Sequence, residues 1–190
     1  MSTKKNPFST RRLAVNAVLI AVYVVLRYFS IPFGEFFRFT LAPFSVILCA
    51  LLFGPVDGLL VGLLGEFLSQ VLGPYGLTQT TLLWCIGETV RGCTLGLCAH
   101  FFLKKWLFAA DRPKAKHVAI LLICCAATGI LASFGQTFAL YVDSKLMGYY
   151  SDMMVFGVLI WRVLVYVVVA SLLGYLCLPI ITALRKAKLV

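Results

Sequence analysis

Charge is what this chain has least of. Only 13% of its 190 residues are charged, seven of those are acidic, and histidine occurs twice. A soluble domain is about a quarter charged and about half apolar. Here 62% of the residues are hydrophobic and the mean hydropathy is +0.99, which makes this an integral membrane protein. A membrane span takes about 20 apolar residues. There is room for about six helices and little else, and a soluble catalytic or ATP-binding domain does not fit.

Motifs for chemistry are missing too. There is no G-x-S-x-G and no Gly-rich phosphate loop following a strand, and no strand is expected. His100 and His117 have no cysteine or carboxylate at metal-ligand spacing. Nothing supports an enzyme, a metal centre or a cofactor held by this chain. The seven cysteines all lie in apolar runs, and no C-x-x-C pair has a histidine partner. Their odd number and placement argue against a disulfide framework and for small buried hydrophobes.

Basic residues are the exception, giving a net charge of +10. They follow the loops rather than one patch, so a nucleic-acid partner is excluded. Lys4, Lys5, Arg11 and Arg12 share one side with the 104–116 loop and with Arg185, Lys186 and Lys188, twelve basic residues in all. The opposite side holds two, Arg38 and Lys145, while Arg27, Arg91 and Arg162 fall within spans. The positive-inside rule then puts both termini in the cytoplasm. Residues 1–11 are a basic cytoplasmic leader. The run behind them is too long for a signal peptide and has no small-residue cleavage site, so it is a retained first helix.

The expected fold is all-α, one domain over residues 1–190, a bundle of six transmembrane helices in a multi-pass membrane protein. The helices run over about 12–31, two within Leu41–Gln70, then about 79–103, 117–142 and 154–183, joined by loops at 32–40, 72–78, 104–116 and 143–153. Within Leu41–Gln70, Pro55 ends the first run near Gly54, and Asp57 is placed to cap the second. Gly58-x-x-x-Gly62 allows close helix approach. Glu66 and Gln70 lie one turn apart, and a mid-span carboxylate should face the protein interior.

Among the ionisable residues inside spans, four are the site candidates: Glu66, Glu88, Arg91 and Arg162. Thr81, Trp84, Glu88 and Arg91 fall at offsets 0, 3, 7 and 10, on one helical face. From the rise per residue, Glu88 lies roughly 14 Å below the outer surface, Arg162 roughly 12 Å and Glu66 roughly 10 Å. With Gln136 and the shallower Gln70 they converge in the outer half, beneath loops that supply Arg38, Tyr75 and Tyr149. That describes a pocket open to the outside. An arginine can clamp a carboxylate, Trp84 can stack on a flat ring, and Gln70, Gln79 and Gln136 offer donors and acceptors to a heterocycle edge. The alternative is internal pairing, Glu88 with Arg91 and Glu66 with Arg162, without any ligand. A proton-coupled secondary transporter using Glu66 or Glu88, or a non-transport membrane scaffold, also fits these residues.

The cadence of LLFGPVDGLLVGLLGE in the second and third helices resembles the substrate-binding (S) components of energy-coupling-factor (ECF) vitamin transporters. The resemblance implies a six-helix subunit of an ABC-type importer in a bacterial cytoplasmic membrane. Such a subunit takes a vitamin or related small nutrient from outside. Its partners are a transmembrane coupling subunit and two ATPase subunits, and it is the partners that use ATP. It also implies that Ala17 and Ala21, a small-x-x-x-small pair, dock the coupling subunit. Within the family the chain is most similar to the folate-type branch. GPYGLT resembles a Gly-Pro-Tyr turn there, and Arg162 resembles an arginine of that branch's sixth helix. Leu159-Ile160-Trp161 stand where that branch has a pair of prolines. Pantothenate, a thiamine precursor or a queuosine precursor are the other substrates the family offers.

Overall fold

A computed structural model describes residues 10–33, 37–73, 76–103 and 115–186. Its helices are α1 (Thr10–Tyr28), α2 (Pro43–Phe53), α3 (Pro55–Val71), α4 (Thr81–Trp84), α5 (Ile86–Cys98), α6 (Ala115–Met147) and α7 (Leu159–Lys186). A π-helical turn, Ala99–Leu103, continues α5, and another, Met153–Gly157, leads into α7. Because α4 and α5 run on as one rod, interrupted only at Cys85, the architecture is an all-helical bundle of six.

Three of these rods are long and apolar enough to cross a membrane by themselves: Thr81–Leu103, Ala115–Met147 and Met153–Leu184. The first rod carries Arg11, Arg12 and Arg27. At 11 residues α2 is about 16 Å long, half the thickness of the hydrocarbon core. It is buried along almost its whole length, packed against α1, α3, α5 and α7. The apolar core gathers around it, with Tyr23, Val46, Ile47, Val61, Leu95 and Leu173 among its members. Large apolar side chains such as Phe101, Ile123, Phe138 and Ile160 are exposed on the outside of the bundle, the surface that lipid chains would cover.

The sharp turn between α2 and α3 forms where Pro55 supplies a preset φ at the first helical position and Gly54 takes a φ of 98°, where a side chain would be strained. The helix beyond it packs unusually tightly on α5. A Cβ at Gly58 would stand 2.7 Å from the Gly92 carbonyl oxygen, and one at Gly62 would stand 2.5 Å from that of Glu88. The Gly58/Gly62 pair therefore does what its spacing suggests: two backbones meet without side chains between them.

Four local expectations are corrected. Asp57 is not a cap for α3; no side-chain cap bond forms there, because the carboxylate points to Arg12 and Asn16 on α1 instead. Residues 32–40 are not a plain loop, since Ile31–Phe33 (β1) pairs antiparallel with Phe37–Phe39 (β2) in a two-stranded hairpin. The fifth helix runs to Met147, so Asp143 and Lys145 are helical and not in a loop. Fourth, Glu66 does not pair with Arg162, as the site shows.

Candidate functional site

The polar interior is built on α1, α3, α5 and α7. On α1 the inward residues Asn16, Leu19 and Tyr23 recur with helical spacing, and Arg27 extends that row by one turn. Tyr23 is fully buried, its ring pressed on Gly65 of α3. Its hydroxyl donates to Glu66 Oε2 at 2.5 Å. Arg27 Nη2 donates to Glu66 Oε1 at 3.1 Å, and Gln70 Nε2 donates to the same oxygen at 2.8 Å. Glu66, 1% exposed, thus faces inward as the cost of an intramembrane carboxylate demands, with three donors around it.

One turn of packing away, α5 brings a second pair. Arg91 Nη1 lies 3.4 Å from Glu88 Oε1, and the Arg91 guanidinium sits 5.0 Å from the centre of the Tyr166 ring on α7, within cation–π range. Glu88 Oε2, Arg91 Nε and Arg91 Nη1 are buried without a hydrogen-bond partner among the described residues. Glu88, Arg91, Arg27, Thr40 and Tyr166 border a partly open cavity of about 50 Å³. Pockets that enclose a drug-sized molecule measure about 300–1,000 Å³, so this space admits a head group and not a whole vitamin.

The residues expected from sequence divide accordingly. Glu66, Gln70, Glu88 and Arg91 come together in or beside this cluster. Gln136 is adjacent: its amide oxygen stands where a Cβ on Gly87 would be, 2.4 Å away. Arg162 is buried but does not border the cavity; its Nη1 donates to Thr137 Oγ1 at 3.0 Å. Trp84 is half-buried on α4, and Gln79 is exposed in the turn before it. Arg38 lies on β2, but its side chain falls outside the described residues, as does Tyr75 entirely. Sequence reasoning missed Tyr23, Arg27 and Tyr166. The signal for the first two was present, since Asn16, Tyr23 and Arg27 place polar groups along one face of an otherwise apolar helix.

Two further polar clusters mark the ends of the bundle. At one, Asp57 accepts from Arg12 and from Asn16 Nδ2, the latter at 2.6 Å, and Arg12 also donates to the Phe53 carbonyl at 3.0 Å. At the other, Asp143 accepts from Thr80 and from Tyr149, and the Lys145 ammonium lies 5.2 and 4.9 Å from the ring centres of Tyr141 and Tyr150. On the far face of α1, Ala17 and Ala21 are exposed.

Residues 7–186 match the family model described as the ECF-type riboflavin transporter, S component. The UPF0397 protein VS_II0189 of Vibrio atlanticus (strain LGP32) is 32% identical over 94 residues, 47% of this chain and 49% of that protein. The match thus spans about half of that relative's length. Among solved structures, one described as the structure and mechanism of the S component of a bacterial ECF transporter is similar at a TM-score of 0.59. It is 20% identical, over 88% of this chain and 93% of its own, a likeness of fold.

Proposed function

The chain belongs to the family of ECF-type riboflavin transporter S components, and from that premise we propose that it captures a flat, vitamin-type heterocycle outside the cell for ATP-driven uptake. As a member it is a membrane-embedded substrate-binding subunit and not an enzyme. The observation that carries the proposal is the cluster of Glu88, Arg91 and Arg27 around one small cavity, with Tyr166 as an aromatic wall. Buried charges held at such cost inside an apolar bundle mark a functional site.

In this reading both termini are cytoplasmic in a bacterial membrane, and the cavity lies in the outer half. Ala17 and Ala21 meet a transmembrane coupling subunit, and two ATPase subunits supply the energy. Riboflavin is the foremost candidate substrate because the family is described by it. The folate-like substrate favoured by GPYGLT and Arg162 is the second, and it has less behind it: Arg162 donates to Thr137 and does not border the cavity.

Native mass spectrometry of protein purified from its source tests the reading. The expected result is a bound heterocyclic small molecule, and co-purification with a coupling subunit and two ATPases. Uptake by the chain alone, driven by a proton gradient, would instead identify a secondary transporter using Glu66 or Glu88. Absence of any ligand and any transport would leave a scaffold.

A further inference from the structure

Arg27 borders the cavity and Glu66 does not, yet the two are bonded to each other. Arg27 stands one residue before the last of α1. An arginine so near the end of a span has an easy course open to it: the stem bends and the head group reaches the aqueous interface. Here the guanidinium bonds instead to a carboxylate that is 1% exposed and lies more than a turn inside the end of α3. The Arg27 side chain is 32% exposed, so Glu66 holds its buried part and the cavity takes another.

The carboxylate that does the holding is itself fixed from both sides. Tyr23 donates to Oε2, while Arg27 and Gln70 donate to Oε1. Partners on both oxygens leave the carboxylate no rotation that keeps all three bonds. The hydroxyl of Tyr23 is fixed in turn by the seat of its ring. A Cβ at Gly65 would stand 2.8 Å from Tyr23 Cγ, so the ring lies where only glycine leaves space. Helical spacing supplies the four groups in pairs: Tyr23 and Arg27 are four residues apart on α1, Glu66 and Gln70 four apart on α3. Glu88 differs, since its Oε2 has no partner among the described residues and the residue borders the cavity itself.

We propose that Glu66 is a positioning residue: held by Tyr23 and Gln70, it tethers the Arg27 guanidinium at the rim of the cavity. The tether keeps a long, flexible side chain in one arrangement before any ligand arrives, so the ordering is not left to the binding step. This rests on the reading of the chain as a nutrient-binding subunit, and it gives Glu66 a role that acts through Arg27.

Two measurements on the purified full-length chain test it, each on the parent, Glu66→Gln and Tyr23→Phe. The first is the rate at which phenylglyoxal modifies Arg27, followed by peptide mass spectrometry, and it needs no ligand. Glu66→Gln should speed modification by at least about 10-fold, because a charged hydrogen bond no longer holds the guanidinium. Tyr23→Phe keeps the ring on Gly65 and should act in the same direction by a few-fold. The second is titration with riboflavin as the probe, with Arg27→Ala added to complete a double-mutant cycle. Glu66→Gln should weaken binding by about 10-fold in the parent and by less than about 2-fold in an Arg27→Ala background. A merely structural Glu66 would lower the melting midpoint without this dependence on Arg27. Modification of Arg27 that is no faster in either variant overturns the tether. So does a loss of affinity from Glu66→Gln that is as large without Arg27 as with it, since Glu66 then acts on the ligand by itself. A parent that protects Arg27 but binds no riboflavin, with protection lost in Glu66→Gln, leaves the tether standing and overturns riboflavin as the substrate.

Discussion

Gly62 and Glu88 meet backbone to backbone: a Cβ on Gly62 would lie 2.5 Å from the Glu88 carbonyl oxygen. The contact sets the depth at which α5 presents Glu88, and it ties that position to α3, which carries Glu66 one turn later. Gly62→Ala should therefore act on stability and site together. Helix propensity alone would favour alanine by about 1 kcal/mol. Neither neighbour is a flexible side-chain end, so the helices must part, and overpacking of this kind costs about 1–3 kcal/mol. The thermal midpoint of the purified protein should fall and ligand affinity should weaken. A variant as stable and as tight-binding as the parent would show that α3 and α5 have room to spare.

Asp57 holds α1 to the start of α3. Its carboxylate, 1% exposed, accepts from both Arg12 and Asn16. Asp57→Ala leaves two donors without their acceptor. Arg12 is 30% exposed and can turn toward water, so the loss is nearer that of charged hydrogen bonds, roughly 1–3 kcal/mol, than of a sealed ion pair. Asp57→Asn, which keeps one acceptor for either donor, should lose less. Equal melting of parent and Asp57→Ala would reduce the pair to a solvated contact.

Asp57 also shows where sequence reasoning stops. At the third position of α3 it has the local chemistry of an N-terminal cap, and local chemistry is what a sequence displays. Arg12 and Asn16 are more than forty residues away, and only the docking of α1 brings them in. Glu66 divides the same way. Its inward orientation follows from the cost of a carboxylate in lipid, whereas its partner does not: Arg27 and Arg162 both lie in spans, and only packing selects Arg27. The hairpin at Ile31–Phe39 escaped because three residues per strand give too little alternation to separate a strand from interfacial aromatics. What the sequence displayed well was periodic and long: the helices themselves, the tight turn at Gly54-Pro55 and the close glycine face.

Tyr149 fastens the segment after Gly148 to the bundle by donating to Asp143, which Thr80 also reaches. Partial burial and the Asp143 carboxylate raise the phenol above the usual tyrosine range. An unfolded tyrosine ionises near pH 10. The folded value is higher, so this contribution to stability is complete below about pH 10 and is lost as pH rises from there through the folded value. Tyr149→Phe should lower the melting midpoint at pH 7 to 9, and the gap to the parent should narrow above about pH 10. A gap that is constant with pH would assign the effect to lost packing.

Orientation is open to a direct measurement. Lys145→Cys and Lys116→Cys place exposed thiols at opposite ends of α6. With termini inside, an impermeant maleimide applied to intact cells should label position 145 and spare 116. The reverse pattern inverts the protein and moves the Glu88 cavity to the cytoplasmic half.

The exposed face of α1 makes the last prediction. Asn16, Leu19 and Tyr23 are buried against the bundle, while Ala14, Ala17 and Ala21 lie on the opposite side, exposed. Against lipid, a larger apolar side chain there costs the isolated subunit little, because lipid chains are as apolar as leucine. Against another helix the same bulk is decisive, since small residues are what let two backbones approach. Replacing Ala17 and Ala21 together with leucine should leave the melting midpoint and ligand affinity of the isolated chain near those of the parent. Assembly with the coupling subunit should fall by at least about 10-fold, the loss of some 1.4 kcal/mol of helix contact. Pull-down of the complex from membranes and ligand titration of the isolated subunit, done on the same variant, separate the two effects. If the double variant still assembles and transports, the alanine face meets only lipid, and the docking surface lies elsewhere on the bundle.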